Sequence, residues 1–258
     1  FLKWKFCDDL INQKLVIRYP EQEKNLLDLG RILLDSSNLV TLTGGRQEEL
    51  VMGDLDLYGD GPVQTKIRSR VFNPNQFEDV LLELTVAACH IPYRHKVTPL
   101  EVEGHPDLRI DIPTLGLPVY AECKCLRSVS ANKINKVIEK ANSQLKAVDT
   151  ASFGVVYLDI DLPMKIGIVK DAEIPSRVIE VRDRVAAALS GPKNRSVGAA
   201  ILIWNFYIVH GQPPDGTLVA FLRNYLRVSH SPHECLRTIP DTCNLYAANM
   251  VLYTIDWH

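Results

Sequence analysis

Two short segments in the middle of the chain alternate apolar and polar residues with a period of two, and together they restrict the fold more than anything else in the sequence. In Asp107 to Ile112, Leu108, Ile110 and Ile112 point one way while Asp107, Arg109 and Asp111 point the other. In Val119 to Cys125, Val119, Ala121, Cys123 and Cys125 share one side, and Tyr120, Glu122 and Lys124 share the opposite one. Each reads as a strand with one buried face. A tight turn around Thr114 and Leu115 would join them, and the apolar faces must then coincide, which fixes the parity of the register. Ile112 is expected opposite Leu117, Ile110 opposite Val119, and Leu108 opposite Ala121.

The same register places Asp107 opposite Glu122. Directly opposed residues have Cβ atoms ~4.5–5.5 Å apart, and like charges there are destabilising. Two carboxylates in that position call for a compensating cation. A divalent metal is one solution, because hard ions such as Mg²⁺ accept carboxylate oxygens. Lys124, two residues beyond Glu122 on the same face, can hold a water or a phosphate oxygen beside it. The plainer alternative is an exposed sheet face carrying a Glu–Lys pair. Asp111 shares the polar face but lies nearer the turn and reads as a surface residue.

Around this hairpin the pattern is helix, three strands, helix, strand. Asn75 to Cys89 carries a stripe of Phe77, Val80, Leu81, Leu84 and Ala88 at helical spacing. Strands are predicted at Arg94–Glu103, Asp107–Pro113 and Leu117–Leu126. Helix Ser130–Val148 and the apolar strand Phe153–Ile160 follow. Further on, Ser176–Leu189 reads as a helix, and Val197–Val209 and Leu245–Asp256 as strands. The first three strands can form a meander, whereas the fourth needs a crossover, so a mixed sheet with helices on its faces is expected. Earlier, Pro20–Ser36 reads as a helix, and Leu39–Thr43 and Leu50–Tyr58 as short strands. The Pro/Gly segment Gly211–Gly216 is a candidate boundary.

Pro106-Asp107 followed, after fourteen intervening residues, by Glu122-Cys123-Lys124 resembles the motif of the PD-(D/E)xK, or restriction-endonuclease-like, nuclease superfamily. That family's core is helix, three-strand meander, helix, strand, with its acid pair on the second and third strands. The resemblance covers roughly Asn75 to Ile160. It implies an α/β fold with a restriction-endonuclease-like αβββαβ core and a mixed central sheet, here with N- and C-terminal additions. The chain is expected to divide into 1–70 as an N-terminal lobe or decoration of unknown role, 71–210 as the nuclease core, and 211–258 as a C-terminal extension packed on it.

The resemblance also implies a chemistry. Asp107 and Glu122, with the main-chain carbonyl of Cys123, would bind Mg²⁺, Mn²⁺ being able to substitute. Lys124 would orient the attacking water. Phe77-Glu78 resembles the family's helix glutamate, a second metal ligand or holder of metal-bound water, with Glu83 as its rival. Gln144 resembles the helix glutamine of Mrr-like and resolvase-like members. The activity implied is hydrolysis of phosphodiester bonds by a DNA endonuclease of a restriction or antiviral-defence type, as a homodimer or with a partner subunit. Two alternatives stand beside it: an RNA-directed nuclease, and a non-catalytic nucleic-acid-binding or scaffold module.

Charge bears on the substrate. The chain of 258 residues has a formal charge of −2, which excludes nucleic-acid coating through bulk charge. Between Lys124 and Lys146, however, six basic residues face one acid, Glu139. Lys133, Lys136 and Lys140 share one helix face and could contact a phosphate backbone; a merely solvated face is the alternative. Elsewhere, His230, His233, Cys235 and Cys243 lack paired zinc-finger spacings and read as loop residues. Asp54, Asp56 and Asp60 lack the full calcium-loop pattern and read as a turn. No P-loop motif is present. The longest apolar run, Val197–Val209, is too short to span a bilayer, and Phe1–Asp9 lacks the pattern of a secretory signal. Six cysteines are too few for a disulfide framework in a chain this long. A cytoplasmic protein without a membrane partner is therefore expected.

Overall fold

The computed structural model describes residues 61–71, 73, 75–90, 95–113, 116, 118–148, 153–164, 176–210, 217–229 and 250–255. The helix expected at 20–36, the strands at 39–43 and 50–58, the acids of 54–60 and the His/Cys group of 230–243 lie outside them.

In chain order the elements are α1 (Pro62–Val71), α2 (Phe77–His90), β1 (Lys96–Pro99), β2 (Leu108–Asp111), β3 (Pro118–Cys125), α3 (Ala131–Lys146), β4 (Phe153–Asp159), the single turn α4 (Asp161–Met164), α5 (Ser176–Leu189), β5 (Val197–His210), β6 (Thr217–Ser229) and β7 (Met250–Ile255). The seven strands form one sheet whose spatial order is the chain order. β1, β2 and β3 are an antiparallel meander. β4 and β5 each join parallel to the strand before. β6 and β7 close the far side antiparallel. The protein is thus mixed α/β. No helix among the described residues is long and apolar enough to cross a membrane.

The layering follows from the connections. The β3–α3–β4 and β4–α5–β5 crossovers advance in the same direction along the sheet, so with the usual right-handed crossover both helices fall on one face. There Ile134, Ile138, Ala141 and Leu145 of α3, and Val178, Val181 and Val185 of α5, pack on Tyr120, Val156, Leu158, Ala200, Leu202 and Trp204. The opposite face takes α1 and α2. Ile67, Val80, Leu84 and Ala87 meet Val97, Leu108, Ile110, Val119, Ala121, Cys123 and Tyr157 there.

The hairpin has the expected register, Leu108 with Ala121 and Ile110 with Val119. One expectation is corrected. β3 does not have a solvent face: Tyr120 and Glu122 are buried along with Val119, Ala121 and Cys123. As an inner strand between β2 and β4, β3 has helices over both sides, so its polar-looking face lies under α3. Arg109 on β2 does remain exposed.

Two further differences concern extent. α1 runs across the 70/71 boundary, and its Ile67 is only 2% exposed within the core on the α2 side. Past residue 210, β6 and β7 continue the sheet that contains β5. Neither α1 nor β6 was expected from the sequence.

Candidate active site

The site forms where β3 passes the start of β2. The β2–β3 ladder ends at Leu108 with Ala121. Asp107, one residue earlier, turns its carboxylate to the backbone, and Oδ2 accepts a 2.7 Å hydrogen bond from the Cys123 N–H. On its other side the Asp107 carbonyl accepts from the Leu100 N–H at 2.9 Å. Its position is therefore set by main-chain bonds to both neighbours, not by simple side-chain opposition across the ladder.

Lys124 gathers the group. Its ammonium is 3.6 Å from Asp107 Oδ2, forms an ion pair with Glu122 Oε1, and donates to the Cys123 carbonyl at 3.1 Å. Asp107, Glu122, Cys123 O and Lys124 are thus brought together around one point. Glu122 is fully buried, whereas the Lys124 side chain is 25% exposed, so the cluster has a wet side and a dry side. Among the described residues, Glu122 Oε2 has no hydrogen bond of good geometry, and neither has Gln144 Oε1. A buried carboxylate oxygen without a partner is costly unless a proton, a cation or a water completes it.

The electrostatics follow from that burial. Loss of water pushes the Glu122 carboxyl above its ordinary value, the Asp107 charge pushes it further, and Lys124 and then Gln144 oppose both. Burial alone would favour a neutral amine at Lys124, but Asp107 and Glu122 outweigh it and hold its pKa above that of an ordinary lysine. The buried Cys123 thiol is pushed up by desolvation and then by the surrounding acids. Cys123 and Cys125 are free thiols.

Helix α2 supplies glutamates from the other face of the sheet. Glu78 is half-buried in its first turn, and the Cys125 thiol lies 3.4 Å from its backbone carbonyl. Glu83, the rival position, is buried. Desolvation raises its pKa first, the paired Arg70 opposes this, and the Asp107 charge raises it further. The Asp107 charge is thus felt at Glu83. Gln144 on α3 donates from Nε2 to the His105 carbonyl at 2.9 Å, holding the connection that leads into Asp107. Lys133, Lys136 and Lys140 are all exposed on the outer side of the same helix. Asp111 lies apart from the cluster and bonds to Arg109 Nε at 3.0 Å.

Arg70 and Glu101, which complete the surroundings of Glu83, were not singled out by sequence. Arg70 forks onto Glu83 and also reaches Glu101. The partners are separated by 13 and 31 residues, so no local pattern announces the pairing.

Among the described residues no group of three or more His, Cys, Asp and Glu side chains is arranged to hold a metal ion. The donor set here is different: the two carboxylates of Asp107 and Glu122 and the main-chain carbonyl of Cys123. All are hard oxygens, and one or two carboxylates are the usual protein share of a Mg²⁺ shell. The residues present therefore fit a small divalent cation. No protein-family model matches this chain, and a search of curated proteins returns no match.

Proposed function

We propose that this protein is a metal-dependent nuclease with a restriction-endonuclease-like core over 71–210, hydrolysing phosphodiester bonds in DNA. The observation that carries this reading is the convergence of Asp107 Oδ2, Glu122 Oε1 and Cys123 O on the Lys124 ammonium. Three oxygens of the type a divalent ion needs already surround a positive charge.

Asp107, Glu122 and the Cys123 carbonyl would hold Mg²⁺ or Mn²⁺, which would supply Lewis acidity toward a phosphoryl oxygen and activate a water at neutral pH. The rest is done by the chain. Cys123 N–H fixes the Asp107 carboxylate. The exposed side of Lys124 presents an ammonium to a water or a phosphate oxygen. Burial under α3 excludes bulk water from Glu122 and strengthens each charge interaction. Gln144 holds the strand entry in place through His105, while Lys133, Lys136 and Lys140 offer an exposed row to a phosphate backbone. A bacterial restriction or antiviral setting, and assembly as a dimer or with a partner subunit, belong to the same proposal.

The test is incubation of plasmid DNA and of RNA with Mg²⁺ or Mn²⁺, comparing the wild type with Asp107→Ala and Lys124→Ala. Metal-dependent cutting of DNA that both substitutions abolish is expected. Cutting confined to RNA would reassign the substrate. Nucleic-acid binding without cleavage under either metal would make this a binding module.

A further inference from the structure

Arg70 lies on α1, outside the segment that carries the acid and lysine motif, yet one of its partners, Glu101, adjoins Leu100, which is bonded to Asp107. Its guanidinium donates to Glu83 from both ends, Nη1 to Oε2 at 2.9 Å and Nη2 to Oε1 at 2.5 Å. Nη1 also donates to Glu101 Oε1 at 2.6 Å. All three side chains are withdrawn from water, at 17%, 7% and 6% exposure for Arg70, Glu83 and Glu101. Charge-assisted bonds in such surroundings are the strong and directional ones.

Glu101 stands next to Leu100, whose N–H donates to the Asp107 carbonyl. Its backbone is in the left-handed region, with φ of 45°, which a residue with a side chain rarely adopts unless its surroundings impose it. Arg70 and Lys66 both grip this residue. From the opposite face Gln144 grips His105. The turn from Leu100 to Asp107 is therefore strapped at both ends.

We propose that Arg70 is a positioning residue: through Glu101 and Leu100 its guanidinium sets where the Asp107 backbone stands, from which the carboxylate reaches the Cys123 N–H, and through Glu83 it ties α1 to the α2 side. α1 is then part of the active site's frame and not a decoration. This rests on the nuclease reading for its catalytic consequence, though not for its structural one.

The experiment uses the full chain and two readouts, DNA cleavage with Mg²⁺ and hydrogen exchange at the Leu100 amide. Arg70→Lys keeps the charge but cannot make the fork. It is expected to lower kcat ~100-fold, the scale of a small misplacement of a reacting group. KM for DNA is expected to stay unchanged, because Arg70 touches no substrate. Leu100 exchange is expected to rise ~10-fold or more as the local strap opens. Unchanged kcat, or unchanged Leu100 exchange, overturns the proposal. If the wild type does not cut at all, the nuclease reading fails and exchange alone decides the positioning role. If Arg70→Lys does not fold, Glu101→Gln is measured by the same two readouts and judged by the same outcomes.

Discussion

His90, at the end of α2, offers a quantitative test of how tightly this core is built. It is wholly buried; its Nδ1 is 2.9 Å from His95 Nδ1 and its Nε2 is 3.2 Å from the Tyr157 hydroxyl. Burial first, and then the His95 ring, lower its pKa from 6.5 to about 3. Between those values the unfolded chain takes up a proton that the folded chain refuses. Stability is therefore present above pH 6.5 and is lost as pH falls through that window, by about 1.4 kcal/mol per unit. At pH 5 the loss from this one ring is about 2 kcal/mol, against almost nothing at pH 7.5. His90→Gln keeps a donor and an acceptor but cannot titrate. Urea unfolding at the two pH values should show the wild type losing about 2 kcal/mol more than the variant. Equal losses would mean that the ring accepts a proton in place, and the account of this core would be wrong.

Three further outcomes follow from the same structure. Gly154 has no room for a Cβ, which would collide with Leu145 and lie 2.5 Å from the Ser196 carbonyl, so Gly154→Ala should cost about 1–3 kcal/mol and lower the melting temperature by several degrees. Asn142 is buried, donates to the Lys193 carbonyl at 2.8 Å and accepts from the Ser196 N–H at 2.9 Å; Asn142→Ala should cost roughly 2 kcal/mol in chemical denaturation, because two backbone groups lose their partners. Lys124→Met leaves the buried Glu122 without its ammonium and should cost about 3 kcal/mol at pH 8, the low end for a broken buried pair because Lys124 is partly exposed. The Glu122 pKa is already raised and climbs further in that variant, so the loss should shrink as pH falls and the carboxyl takes a proton. Adding Glu122→Gln to Lys124→Met should recover much of the stability at pH 8.

The hairpin was legible because period-two alternation in two adjacent strands admits one parity, and that parity brings Asp107 toward Glu122. The crossover helices were legible for a similar reason. Ile134, Ile138, Ala141 and Leu145 repeat at helical spacing and are the buried apolar residues of α3. α1 gave little signal, since Val63, Ile67 and Val71 are sparse among polar residues and its attachment depends on Arg70 pairing with distant acids. β6 is a largely continuous apolar run, Leu218 to Leu222, and such runs do not declare their type by periodicity. The helix stripe does not show that Glu83 is desolvated and paired with Arg70, which is a property of the packed core.

The nuclease proposal requires Asp107, Glu122 and the Cys123 carbonyl to form a cation site beside Lys124. Crystals grown with Mn²⁺ decide whether it exists. An anomalous peak is expected roughly 2.1 Å from oxygens of all three residues, with the Lys124 ammonium moved aside toward solvent. A map with no peak there, and Lys124 still seated between the two carboxylates at saturating Mn²⁺, would contradict it.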